Sequence, residues 1–187
     1  AKYFIVEGDN GSPEVMVNPD AMGNAWFVDE VRCVDTPREE SDALNAMDFS
    51  KQAVTDRKFS SMVLEPNTFS GEIALLSYAP DRLVYSSSCE GEKTAVFSDI
   101  YYPYGWKAYI DGAPVEHFRV NYVLRALNVP AGEHEIMFEF RPDSIYKGFK
   151  VNALFRYIMY TLIISLIVAS VLRELGKGPK WLRDWGA

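Results

Sequence analysis

The chain has 187 residues, which is enough for one domain of ordinary size and an appendage. Its formal net charge of -7 argues against a broad nucleic-acid-binding surface, so no nucleic-acid partner is expected. The two histidines and two cysteines form no CxxC motif or His–Cys cluster, so the sequence predicts no metal site and no cofactor.

The two cysteines, Cys33 and Cys89, fit two states equally well. A disulfide bond would suit an oxidising compartment, and two buried free thiols would suit an ordinary core. The chain opens at Ala1 inside the strand-like run "KYFIVEG", with no initiating Met and no signal peptide. We therefore expect a fragment of a longer protein.

The first third contains short β-rich runs followed by one helix signal. Thr36 is a suitable N-cap, Pro37 suits the first helical position, and Glu39 completes a capping box. Leu44 and Met47 give this segment only a narrow apolar face. The pattern predicts a short surface helix near Pro37–Met47 that covers one end of the sheets.

From Ser60 onward, short strand-like runs alternate with turn signals, and Asp111-Gly112 is a strong hairpin signal. In the last of these runs Ile136, Phe138 and Phe140 alternate with polar residues, which predicts a strand with one buried face. The pattern indicates a mainly β fold over residues 1–145, an antiparallel, jelly-roll-like β-sandwich.

The pattern changes after Pro142. The 22 residues between Lys150 and Arg173 carry one charge, Arg156, and would span about 33 Å as a helix. The hydrocarbon core of a bilayer is about 30 Å thick, so residues 150–173 are predicted to form a transmembrane helix in contact with membrane lipid. The alternative is a helix buried in the core or in an oligomer contact of the isolated fragment.

Residues 174–187 form a basic tail in which Trp181 and Trp185 could anchor the far side of the span. Four basic residues precede the span and four follow it, so charge alone leaves the orientation undecided.

An aromatic-rich segment raises the possibility of a sugar-binding surface, because sugar sites combine aromatic faces with hydrogen-bonding side chains. Alternation places Trp106 on the core face of its strand and Lys107 and Tyr109 on the opposite face. The candidate contact residues are Tyr102, Lys107, Tyr109, Arg119, Asn121 and Tyr122. Core packing is the competing explanation for each aromatic residue of the segment.

No nucleophile motif, metal motif or distinct carboxylate pair is visible, so no catalytic residue is assigned and the fragment is expected to be non-catalytic.

The segments "NAWFV", "LVYSSSCEGEKTAVFSDIYYPYGWKAYIDG" and "VNYVLRALNVPAGEHEIMFEFRPDS", followed by a final apolar helix, resemble the C-terminal end of YfhO-like bacterial membrane proteins. The resemblance covers nearly the whole chain. It implies a large polytopic protein of the glycosyltransferase C-type superfamily, whose catalytic acidic residues lie upstream of this fragment.

The same resemblance implies a place and partners for the fragment. The sandwich would lie outside the bacterial cytoplasmic membrane, on its periplasmic side, and the tail from Arg173 inside. The partners would be upstream membrane helices of the parent protein and a glycan or polyprenyl-linked sugar on its way to a cell-envelope acceptor. Two alternatives remain: a free carbohydrate-binding module with a buried C-terminal helix, and a purely structural lid that stabilises the membrane core.

Overall fold

A computed structural model describes residues 2–8 and 11–175, which belong to two compact units divided between Arg141 and Pro142. Most of the predicted tail, including Trp181 and Trp185, lies outside the described residues. The first unit is mainly β, as predicted, and the second contains the apolar helix.

Thirteen strands and two α-helices form the described chain. The strands are β1 (Tyr3–Glu7), β2 (Pro13–Val17), β3 (Ala25–Val28), β4 (Glu30–Val34), β5 (Gln52–Asp56), β6 (Gly71–Ala79), β7 (Arg82–Cys89), β8 (Lys93–Ile100), β9 (Trp106–Ile110), β10 (Ala113–Val115), β11 (Phe118–Val120), β12 (Leu124–Val129) and β13 (Gly132–Phe140). The helices are α1 (Pro37–Ala43) and α2 (Asp143–Glu174), and Arg57–Met62 form a short 3₁₀ helix.

Two antiparallel sheets form the sandwich. One has five strands in the order β10-β9-β13-β7-β6, and the other has four in the order β11-β12-β8-β3. Apolar residues from both sheets, among them Tyr85, Phe97, Leu127 and Phe138, form one buried cluster between them. Strands β1 and β2 form a separate two-stranded hairpin.

The four-stranded sheet is buried on both faces. Its outer face carries Val96, Phe118 and Ala126, which pack with Val31 of β4 and Ala53 of β5 in a second cluster. The fold therefore has a third layer that the strand pattern did not predict. It also explains why Lys93–Phe97 of β8 are buried without interruption.

The third layer adds one parallel pair to the antiparallel sandwich, because β4 and β5 pair in parallel. Parallel neighbours need a crossover connection, and α1 is part of the one between them. Thr36 caps α1 through Glu39 N at 3.2 Å, as predicted, and Pro37 stands in its first turn. The helix ends at Ala43 rather than Met47, where turns begin the return to β5.

Glu40 joins α1 to the four-stranded sheet. It is fully buried, although the sequence predicted an exposed helix. Its carboxylate accepts hydrogen bonds from Arg119 Nη2 at 2.5 Å and from the Tyr122 backbone N–H at 2.9 Å. Asp56 lies 3.8 Å from the same Arg119 nitrogen.

The helix α2 is long and apolar enough to cross a membrane, and none of its apolar stretch is buried. It begins at Asp143, earlier than the predicted residue 150. Phe140, expected in the core, is instead 36% exposed at the end of β13.

Cys33 and Cys89 are both free thiols, the first exposed and the second buried.

We expect Glu40→Ala to lower the free energy of unfolding by about 3 kcal/mol, because it leaves a partly buried Arg119 without its main partner. Asp42→Ala is the matched control on the same helix. Its ion pair with Arg38 is exposed on both sides, so its loss should cost less than about 0.5 kcal/mol. Urea unfolding followed by tryptophan fluorescence measures both variants. Equally small losses of unfolding free energy would show that the fold does not depend on the Glu40–Arg119 contact.

Candidate functional site

Lys107 and Tyr109 occupy β9 as predicted, on the face opposite Ala108 and Ile110. Both are half-buried. They line a cleft of about 560 Å³ at the β9–β10 edge of the sandwich. The rest of the lining is mixed and includes Lys58, Phe59, Tyr101, Glu116 and His117. We call it the β10-edge cleft. Its aromatic rings and charged groups suit a polar organic ligand.

The cleft does not include Arg119, Asn121 or Tyr122. Arg119 and the backbone of Tyr122 bind the Glu40 carboxylate instead, and Asn121 stands between them in sequence. Asn121 is 5% exposed, and its side-chain oxygen accepts a hydrogen bond from Val54 N at 3.0 Å. Its own N–H donates to Val54 O at 2.7 Å. Asn121 is thus part of the link between β5 and the β11–β12 turn, and its amide oxygen already has a partner.

The β11–β12 turn is held in an unusual conformation. Asn121 has φ 50° and Tyr122 has φ 69°, in the left-handed region that residues other than Gly rarely adopt. The bonds from Glu40 and Val54 to this turn offset the cost of that conformation. Tyr122 itself is exposed, and its ring lies 5.5 Å from the Arg119 guanidinium.

Tyr102 lies apart from both of these regions, on the loop before β9, among other aromatic side chains. Its ring lies 5.8 Å from that of Tyr104 and 6.4 Å from that of Phe140. Trp106, predicted to be core, is half-buried beside Phe140 at 5.3 Å. The six candidate residues are therefore spread over three places, and the structure does not bring them into one site.

Arg125 is the least expected residue between the sheets. It is 1% exposed, and its guanidinium lies 4.5 Å from the rings of Trp106 and Phe138. Its Nη2 donates to Ile100 O at 3.2 Å, whereas Nε and Nη1 have no partner among the described residues. Burial lowers the pKa of Arg125, and the Asp99 carboxylate partly opposes that shift.

A cleft larger than the β10-edge cleft was missed by sequence reasoning. It measures about 1170 Å³ and opens at the other edge of the sandwich, beside β3 and β6. Lys93 lies in its wall, 5% exposed, with Nζ donating to Asp29 Oδ1 at 2.7 Å and to Phe69 O at 2.5 Å. We call this second cleft the β6-edge cleft. Its wall comes from strands distant in sequence, so no local motif marks it.

The two histidines differ in environment. Burial, helped by the charge of Arg125, lowers the pKa of His117 to about 4. The Asp111 carboxylate, 2.6 Å from Nδ1, raises the pKa of His134. Within residues 2–8 and 11–175, no group of three or more His, Cys, Asp or Glu side chains could hold a metal ion.

Comparison with known proteins gives no assignment: no family model matches the chain, and no match was found among curated proteins or solved structures.

His117 should make stability fall as the solution is acidified. Between pH 6.5 and about 4 the unfolded chain binds a proton at His117 that the folded chain does not, so stability is lost as pH decreases. We expect about 1–2 kcal/mol rather than the full value of about 3 kcal/mol, because the ring is partly exposed to solvent. His117→Phe retains an aromatic ring beside Tyr101 and Phe138 and should flatten this slope.

His134→Asn is the control of opposite sign. The raised pKa of His134 contributes stability below pH 6.5 that is lost as pH rises through the folded-state value. Its removal should therefore lower stability mainly at acidic pH. Urea unfolding at a series of pH values measures both variants, and a slope unchanged by His117→Phe would contradict the assignment.

Proposed function

We propose that the chain is a non-catalytic, membrane-anchored β-sandwich domain of a polytopic glycosyltransferase-type protein similar to the YfhO-like family. It supports sugar transfer to a cell-envelope acceptor. The observation that carries the proposal is the junction of the two units. Strand β13 ends at Phe140, and α2, with its exposed apolar surface, begins at Asp143 after only two intervening residues. A folded β domain is thereby connected, through two residues, to a helix that suits a lipid environment.

The alternative of a buried C-terminal helix has less support, because none of the apolar stretch of α2 is buried. A helix with apolar residues on all sides cannot remain in water without a partner. In the membrane its partners would be lipid and upstream helices of the parent protein. In the isolated fragment it would form an oligomer through the same surface.

The extracytoplasmic location of the sandwich rests on the family resemblance. In that orientation the domain lies on the periplasmic side of the bacterial cytoplasmic membrane, where lipid-linked sugars meet their acceptors. The β10-edge cleft supports sugar contact, because it joins Lys107 and Tyr109 to aromatic and charged neighbours. A glycan or polyprenyl-linked sugar is the proposed ligand.

A second candidate function, a carbohydrate-binding module, is favoured by the β6-edge cleft. This cleft has about twice the volume of the β10-edge cleft. Its wall combines the exposed ring of Phe69 with serine hydroxyls of β7 and the carboxylates of Asp29 and Glu72. Such a module would bind sugar without the parent protein.

Deletion of everything after Ser144 should release the sandwich from the membrane fraction as a folded, soluble monomer. The buried clusters of the sandwich consist entirely of residues before Arg141, so their packing does not require α2. Ultracentrifugation of membranes and circular dichroism of the soluble fraction measure this. An unfolded or aggregated product would show that α2 belongs to the core.

In the full-length parent protein, replacing Lys107 and Tyr109 together by Ala should lower sugar transfer to the acceptor severalfold. Because both side chains are half-buried, we expect the unfolding free energy to change by less than about 1 kcal/mol. The control is Phe69→Ala in the β6-edge cleft, which should leave transfer unchanged.

Unchanged transfer in the double variant would remove the contact role of the β10-edge cleft. A loss of transfer confined to Phe69→Ala would assign sugar contact to the β6-edge cleft instead.

A further inference from the structure

The two ends of the sandwich differ in surface chemistry. The first end, where β13 finishes, is called here the Phe140 end. Trp106 is paired with Phe140, and Asp81 O accepts from Phe140 N, so the β6–β7 and β8–β9 loops lie there. Ile100 is paired with Leu124, and both the Ile100 carbonyl and the Trp106 ring contact Arg125. The β11–β12 turn therefore lies at this end as well.

Exposed apolar side chains collect at the Phe140 end. Tyr104 is 78% exposed, and Tyr78 and Ile100 are each 71% exposed. Tyr102, Tyr122 and Phe140 are further exposed aromatic residues of this end. Soluble monomeric domains rarely leave so many large apolar groups together on one end, so the cluster indicates a contact surface.

The opposite end is acidic. Cys89 pairs with both Gly71 and Gly132, and Lys93 pairs with Val129, so these strand ends meet there. The β7–β8 turn carries the exposed residues Glu90 and Glu92, and exposed Asp111 of the β9–β10 turn lies beside His134 of β13. Phe69, which lies beside Gly91 of the β7–β8 turn, is an exposed aromatic residue of that end.

The length of α2 leaves little space between the Phe140 end and a bilayer. Its 32 residues span about 48 Å, whereas a bilayer including both headgroup layers measures about 40–45 Å. Only Arg141 and Pro142 separate β13 from α2, and two residues extend by at most about 7 Å. A helix that spans the membrane therefore holds Phe140 near the headgroup layer.

We infer that the Phe140 end is a membrane-contacting surface, whose exposed tyrosines and apolar side chains lie in the lipid headgroup layer. Tyrosine is enriched at that depth because its ring is apolar and its hydroxyl remains hydrated. The inference rests on the proposed membrane anchor and adds to it a second contact between the chain and the bilayer. The proposed partner is lipid rather than protein, because the strand that ends in this surface is followed in sequence by a lipid-compatible helix.

Spin labels on single cysteines test the inference in the full chain, reconstituted in vesicles of phosphatidylethanolamine and phosphatidylglycerol. The background carries Cys33→Ser and Cys89→Ala. Labels are placed through Tyr104→Cys at the Phe140 end, Phe69→Cys at the acidic end and Ile163→Cys in the middle of α2, all three being exposed positions. Accessibility to oxygen relative to a water-soluble nickel reagent measures the depth of each label.

We expect this ratio to be highest at Ile163, severalfold higher at Tyr104 than at Phe69, and lowest at Phe69. A lipid-like Ile163 with Tyr104 as aqueous as Phe69 would overturn the membrane-contacting surface and leave the anchor intact. An aqueous Ile163 would overturn both proposals. Ile100→Cys provides a second label at the same end should Tyr104→Cys disturb folding, which the tryptophan fluorescence of each variant checks.

Discussion

Burial of the four-stranded sheet on both faces is the constraint on which the rest of the fold depends. A strand such as β8 can place Phe97 and Val96 in opposite clusters only if a layer covers each face. The five-stranded sheet covers one face, and β4 and β5 with the segments around them cover the other. The parallel pairing of β4 and β5 requires a crossover connection between them, and α1 lies within it.

The same constraint explains where charged groups are buried. A third layer must be attached by more than apolar contact, since its own strands are short, and the carboxylate of Glu40 supplies a directional link to Arg119 and Tyr122. Between the two main sheets, Arg125 is enclosed by the rings of Trp106 and Phe138. Cation–π contacts partly replace the water that this guanidinium has lost. Removing Glu40 or Arg125 should therefore lower the unfolding free energy by more than the buried area of the side chain suggests.

The sequence predicts the elements whose signals are local. The hairpin at Asp111-Gly112, the cap at Thr36 and the apolar run of α2 all appear in the structure, because turn chemistry, capping and composition act over a few residues. The third layer, the buried Glu40 and both clefts were not predicted, because each depends on residues far apart in sequence. Glu40 in "PREES" has the local appearance of any solvated helix residue, and only the register of β11 and β12 reveals its partners.

The loop between β8 and β9 links the two proposals on physical grounds. Tyr101 and Pro103 of this loop line the β10-edge cleft, whereas Tyr102 and Tyr104 supply the exposed apolar surface of the Phe140 end. One short segment therefore borders both surfaces. If the Phe140 end rests on the headgroup layer, the cleft opens close to that layer, and a sugar attached to a membrane lipid could reach Lys107 and Tyr109 without leaving the membrane. If both proposals hold, a lipid-linked sugar suits the β10-edge cleft better than a soluble glycan does.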